Sequence, residues 1–259
     1  MNSEIPESSN QTHAFPSLEI LGVKVNVVDR KALLQVAIAW ASQDQFRTIA
    51  YANTHCLNVA YKDEAYRDIL NSSDLVTVDG VGVVWAGRVL KGIRLYKVTS
   101  RTFIDDLCRM AAESHLKLFI LAGSPGIASK TAALLRCKHQ GLTISGTADG
   151  FFVEKTEAQV LAEIKQARPD MLLVGMGVPR QEKWIKINRE NLAVPVCWGL
   201  GALFDYVAGI EPAVPSFLDR LGLEWFWRLV IDPRRKWHRY LIGNPTFIWR
   251  VLMQKFSVK

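Results

Sequence analysis

Three segments bring chemically useful side chains to the ends of strand-like runs. In the first, LVTV at Leu75–Val78 ends in Asp79-Gly80, and a helical stretch begins near Gly82. A carboxylate on the carboxyl edge of a strand, followed by glycines that let a ligand approach, is placed to take a proton from a bound hydroxyl. The same Asp-Gly pair also makes a plain turn or a helix cap. In the second, LFILAGSPG at Leu118–Gly126 carries a strand through a small-residue loop at Gly123 into a helix. Backbone N–H groups at such a helix start can hold phosphate. The loop is neither a P-loop nor GxGxxG, so an ordinary strand–helix turn stays open as a reading. In the third, GMGVPRQEKW at Gly175–Trp184 puts Gln181 and Glu182 in the first helical turn past a strand. An amide there can read a base or a sugar hydroxyl, and a carboxylate can bind a ribose hydroxyl. Helix capping by Glu182 and core packing by Trp184 account for the same residues.

Other chemistries lack their residues. There is no HExxH, Walker lysine, GxSxG or Asp-x-Asp, and His13, His55, His115, His139 and His238 show no ligand spacing. No metal site and no cofactor is expected. Cys56, Cys108, Cys137 and Cys197 are far apart, without a CxxC pair, and read as free thiols of a reduced compartment.

The elements that must carry these residues follow from periodicity. Apolar runs at Arg47–Ala52, Leu75–Val78, Leu118–Ala122, Leu142–Ser145, Met171–Gly175 and Val194–Trp198 alternate with helical stretches such as Ile127–Lys138, Thr156–Arg168 and Pro179–Asn191. Strands separated by helices of this length predict an α/β domain, its mostly parallel sheet covered on both faces. Residues 1–16 are polar and aperiodic and read as a disordered lead without a signal peptide, and 17–211 as the α/β core. No apolar run reaches the ~20 residues that span a bilayer.

The character changes over residues 212–259, a basic, aromatic helical appendage. After Ser216 nine lysines and arginines face three acids, which accounts for nearly all of the net charge of +7, and four of the eight tryptophans lie here. Arginines interleaved with tryptophans on helices suit an anionic membrane surface, where rings sit at headgroup level and cations meet lipid phosphate. A terminal subdomain that buries its tryptophans on the core is compatible with the same pattern. No nucleic-acid motif accompanies the charge, so nucleic acid is not an expected partner.

Taken together, NVAYKDEAYRDILNSSDLVTVDGVGVVWAGRVL, LFILAGSPG, ADGFF, GMGVPRQEKW, GLGALFDYVAG and GLEWFWRLVIDPRRKWHRY resemble, in order and spacing, the WecG/TagA/CpsF glycosyltransferases from about Leu18 to Tyr240. The resemblance implies a Rossmann-like core and an inverting, metal-independent transferase. It further implies a UDP-sugar donor, N-acetylmannosamine-type or glucose, and a polyprenyl-diphosphate-linked acceptor in cell-surface polysaccharide synthesis. The protein would then be cytoplasmic and peripheral on the inner face of the membrane. A homo-oligomer is compatible with this reading, and a non-catalytic, membrane-bound nucleotide-sugar sensor or scaffold is the alternative. The resemblance carries the catalytic base onto Asp79 and substrate binding onto Asn53, next to Thr54, and onto Gln181 and Glu182, while Gly123 stays the substrate-binding candidate of the small-residue loop. It carries the arginines that reach the acceptor diphosphate onto Arg228, Arg235 and Arg239. The chain departs from the family pattern at Tyr51, where many members have threonine, and at Lys97-Val98-Thr99-Ser100, where many have Arg-Val-x-Gly.

Overall fold

The computed structural model describes residues 15–257 with the exception of 213, 216, 219 and 220. The expected lead therefore lies outside the described residues except for Phe15, which packs on the core, and Pro16, whose carbonyl accepts from Val27 N at 2.7 Å. An antiparallel hairpin follows, β1 (Ser17–Ile20) and β2 (Val23–Asn26). Six further strands form one parallel sheet: β3 (Arg47–Ala52), β4 (Leu75–Val78), β5 (Lys117–Ala122), β6 (Thr143–Ala148), β7 (Met171–Gly175) and β8 (Val196–Gly199). Their spatial order is β4-β3-β8-β7-β5-β6. Both faces are buried, which is why the strands read as continuous apolar runs. Successive side chains still part to opposite sides. Leu118, Ile120, Met171, Leu173, Val196 and Trp198 enter one core, while Phe119, Leu121, Leu172, Val174 and Cys197 enter another.

The first nine helices are α1 (Arg30–Ala41), α2 (Thr54–Ala60), α3 (Glu64–Asn71), α4 (Val81–Lys91), α5 (Ser100–Glu113), α6 (Ile127–Lys138), α7 (Glu157–Ala167), α8 (Arg180–Leu192) and α9 (Leu203–Val207). Helices α1, α5, α6 and α9 cover one face of the sheet. The hairpin with α2, α3 and α4, and beside it α7 and α8, cover the other. Adjacent strands β3 and β8 thus send their chains to opposite faces, β3 into α2 and β8 into α9. The divergence opens a crevice at their carboxyl ends, the place where ligands bind in open α/β sheets.

The C-terminal chain crosses this crevice as α10 (Glu224–Ile231), α11 (Pro233–Trp237), a π-helical turn (His238–Ile242) and α12 (Gly243–Ser257). Asp232 caps α11, accepting from Arg235 N at 3.3 Å, with Pro233 in the first turn where its missing N–H costs nothing. Helix α12 then returns to the core. Phe247 and Val251 are buried with α2, α4 and the hairpin. Arg250 donates to Asn58 Oδ1 at 2.8 Å, and Gln254 Oε1 accepts from Leu21 N at 2.9 Å. Trp237, Ile248, Trp249, Leu252, Met253 and Phe256 stay exposed. No helix among the described residues is long and apolar enough to cross a membrane.

Candidate active site

A cavity of about 700 Å³ occupies the crevice over the ends of β3, β4 and β8, with α10, the π-helical turn and the start of α12 on its far side. Asp79 lies in its wall. The residue is placed by backbone bonds that extend the sheet past β4: Asp79 N donates to Ala52 O at 2.9 Å, and Val98 N to Val78 O at 2.8 Å. Gly80, at φ 106° and ψ 148°, adopts a conformation that side chains disfavour and turns the chain into α4. Thr99 Oγ1 donates to Asp79 Oδ1 at 3.0 Å. Burial, reinforced by the Glu224 carboxylate, pushes the Asp79 pKa up, against the pull of Arg228, Thr99 and Lys97. A carboxylate raised in this way holds a proton more strongly once it has taken one, as a general base must.

Asn53 and Thr54 open α2 on the same wall. Asn53 Oδ1 accepts from His55 N and Cys56 N, both at 3.0 Å, the N-cap arrangement that satisfies orphan donors at a helix start. That cap fixes which end of the amide is oxygen and directs the amide nitrogen away from the helix. Thr54 Oγ1 donates to Asn244 Oδ1 at 3.1 Å and so ties the C-terminal chain to the sheet edge. His55 also lines the cavity; burial and nearby Arg239 push its pKa down to about 4, so it is neutral.

Positive charge faces Asp79 from three directions: Lys97 before α5, Arg101 in its first turn, and Arg228 and Arg239 from the C-terminal chain. Arg228 Nε donates to Glu224 Oε1 at 3.1 Å, and its guanidinium lies 4.9 Å from the centre of the Tyr206 ring. Burial opposes the charge on Arg228, but Tyr206 and Glu224 outweigh it. Arg239 Nε is buried with no hydrogen-bond partner among the described residues, an orphan donor beside the cavity.

The structure brings Asp79, Asn53, Thr54, Arg228 and Arg239 together, and it does not bring Gly123, Gln181, Glu182 or Arg235 to the cavity wall. Gly123 sits at the ends of β5 and β7, where its N–H is committed to Gly175 O at 3.1 Å and cannot also hold a phosphate. Gln181 and Glu182 are buried behind the wall. Gln181 Oε1 accepts from Gly201 N at 3.0 Å and its Nε2 donates to Glu182 Oε1 at 2.7 Å, so the pair fixes the turn after β8. Burial raises the Glu182 pKa to about 7. Arg235 is exposed on α11. Lys97, Thr99, Arg101, Tyr206 and Glu224 also line the cavity, outside the strand-end motifs. Glu224 carries a signal in its spacing of one helical turn from Arg228, and Lys97 and Thr99 in standing where the family pattern has Arg-Val-x-Gly.

The sequence matches the WecG/TagA/CpsF glycosyl transferase family over residues 18–259. The chain belongs to that family. As a WecG/TagA/CpsF member it is a glycosyltransferase. It is 30% identical over 211 residues to the N-acetylglucosaminyldiphosphoundecaprenol N-acetyl-beta-D-mannosaminyltransferase of Bacillus subtilis strain 168, covering 82% of this chain and 81% of that protein. It is 26% identical over 213 residues to the protein of the same name from Staphylococcus aureus strain NCTC 8325, covering 82% of each. The cavity offers one carboxylate with a raised pKa, cations in its other walls, and aromatic side chains in Tyr206, Trp225 and Tyr240 against which sugar or base rings can pack.

Proposed function

We propose that this glycosyltransferase moves an N-acetylmannosamine-type residue, or glucose, from a UDP-sugar to a polyprenyl-diphosphate-linked acceptor carrying N-acetylglucosamine, with inversion and without a divalent metal. The observation that carries the reading is Asp79, its pKa raised, in one wall of a cavity whose other walls present Lys97, Arg101, Arg228 and Arg239. The acceptor chemistry is that named for the relatives from Bacillus subtilis and Staphylococcus aureus.

In this mechanism Asp79 takes the proton of the acceptor hydroxyl as its oxygen forms a bond to the anomeric carbon. The bond from that carbon to the UDP oxygen breaks, and the electron pair leaves with UDP. A positioned base contributes ~10²–10⁴-fold. The lysine and arginines receive the charge that develops on the diphosphate, in a site whose partial burial strengthens the attraction. Asn53 reads a sugar or acceptor hydroxyl with its amide nitrogen, and Thr54 holds the C-terminal chain against the site. Gln181, Glu182 and Gly123 serve from behind by fixing the turns at the sheet edge.

Membrane attachment is part of the same proposal. The exposed Trp237, Trp249 and Phe256, with Arg234 and Arg235, give helices α11 and α12 of the C-terminal chain an aromatic and basic surface. Such a surface suits the cytoplasmic leaflet, where a lipid-linked acceptor would present its diphosphate. The test is incubation with UDP-N-acetylmannosamine or UDP-glucose and a polyprenyl-diphosphate-N-acetylglucosamine acceptor. UDP release that requires the lipid, with a product of inverted anomeric configuration by NMR, is the expected result. Transfer with retained configuration, or no transfer from any UDP-sugar, would overturn it.

A further inference from the structure

A second carboxylate, besides Asp79, stands among the cations that the proposed reaction needs for its diphosphate. Glu224, the first residue of α10, faces Arg228 one turn along, Lys97 from the segment before α5, and Arg101 from the first turn of α5. Only Arg228 is within hydrogen-bond reach; Lys97 Nζ stands at 3.7 Å and Arg101 at 3.9 Å. All four side chains line the cavity, and the Glu224 side chain is 15% exposed. Three elements distant in sequence thus converge on Glu224, and two of its three contacts to them lie beyond hydrogen-bond distance. A carboxylate and a phosphate accept the same forked N–H pairs from a guanidinium.

We propose that Glu224 is an internal stand-in for the substrate diphosphate, gathering Lys97, Arg101 and Arg228 when no diphosphate is bound and yielding them when one enters. The assignment rests on the reading that the donor is a nucleoside-diphosphate sugar. It makes Glu224 a residue that sets affinity. Its charge opposes a bound diphosphate and recovers the cations as UDP, more highly charged than the esterified donor, departs. Glu224 therefore weakens binding and favours release of product.

The test is calorimetric titration of the full-length protein and its Glu224→Gln variant with uridine, UDP and inorganic pyrophosphate. Removing one partly buried charge at this distance should tighten UDP and pyrophosphate by about tenfold or more at low salt while uridine is unchanged. The gain should shrink at high salt, where the Debye length falls to about 3 Å. Glu224→Asp, which keeps the charge, should bind like the wild type and guards against a folding defect in the glutamine variant. Equal or weaker pyrophosphate binding by the folded glutamine variant would show that Glu224 only scaffolds the cations. A uridine affinity that moves as much as that of UDP would show a general change of shape, and either result overturns the inference. Tighter pyrophosphate binding without any UDP binding would uphold Glu224 and remove the UDP donor instead. Absence of pyrophosphate binding in both proteins would overturn it.

Discussion

Replacing Gly82 by alanine places a methyl carbon 2.5 Å from Thr54 Cγ2, where about 3.5–4 Å is comfortable. Gly82 is in the first turn of α4 and Thr54 in the first turn of α2, so the two helices that carry the site's edge touch through this glycine. Thr54 cannot turn aside: it is β-branched, and its hydroxyl is bound to Asn244. The helices must separate by roughly 1 Å. Alanine gains about 1 kcal/mol in helix propensity over glycine, and overpacking of this size costs about 1–3 kcal/mol, so net stability falls by at most about 2 kcal/mol. At about 2–4 °C per kcal/mol for a chain of this size the melting temperature drops by less than about 8 °C. Activity is more sensitive, because the shift is passed through Gly80 to Asp79. A displacement of about 1 Å at a reacting group costs about 10²-fold in turnover. Thr54→Ser removes the obstructing methyl and keeps the hydroxyl, so Gly82→Ala/Thr54→Ser should regain most of the rate. The assay is steady-state UDP release beside thermal denaturation for the two single variants and the double. Wild-type turnover in Gly82→Ala, or a double variant no faster than the single, would refute the reasoning.

Glu182, with its pKa raised from 4.5 to about 7, makes stability fall with rising pH, because the unfolded chain gives up this proton before the folded one. The contribution is complete below about pH 4.5 and lost through pH 7, about 3 kcal/mol in all, so Glu182→Gln should gain on the wild type between pH 5 and 8 in thermal denaturation. Turnover should be unchanged in EDTA, since Lys97, Arg101, Arg228 and Arg239 supply the counter-charge; a loss restored by magnesium or manganese would contradict this. Arg234→Ala/Arg235→Ala should weaken co-sedimentation with phosphatidylglycerol vesicles by about 30-fold at about 1 kcal/mol per cation, and Trp237→Ala/Trp249→Ala should weaken a part that salt does not screen.

The parallel sheet was legible because its strands are short apolar runs bounded by helices. Arg47–Ala52, Leu75–Val78, Met171–Gly175 and helix Ile127–Lys138 fall where the pattern puts them. Strand β6 runs to Ala148 rather than Ser145 because Gly146-Thr147-Ala148 pairs through its backbone without an apolar signal. The β1–β2 hairpin escaped notice although SLEI and VKVN alternate, since its two-residue turn is Leu21-Gly22, both at positive φ, instead of an asparagine–glycine pair. In the tail, Phe247, Arg250, Val251 and Gln254 mark the packed face of α12 at helical spacing. Trp249, Met253 and Phe256 on the exposed side obscured it. The site was readable as far as strand ends go. A residue in the first turn past a strand lies at the sheet's edge, but its spacing does not say which side of the next strand's turn it meets. Asp79 faces the cavity, whereas Gln181 comes up beneath Gly201. The convergence of Lys97, Arg101 and Glu224 depends on how α10 crosses the sheet edge, which no local pattern encodes.

Asp79→Asn tests the central claim most directly, because it keeps the shape of the side chain and removes the base. Asparagine can still accept from Thr99 Oγ1, the bond that holds the carboxylate at 3.0 Å. Single-turnover transfer to the lipid-diphosphate acceptor should fall by at least ~10²-fold, while calorimetric affinity for UDP stays within a few-fold of the wild type. Turnover close to that of the wild type in Asp79→Asn would contradict the assignment of Asp79 as the base.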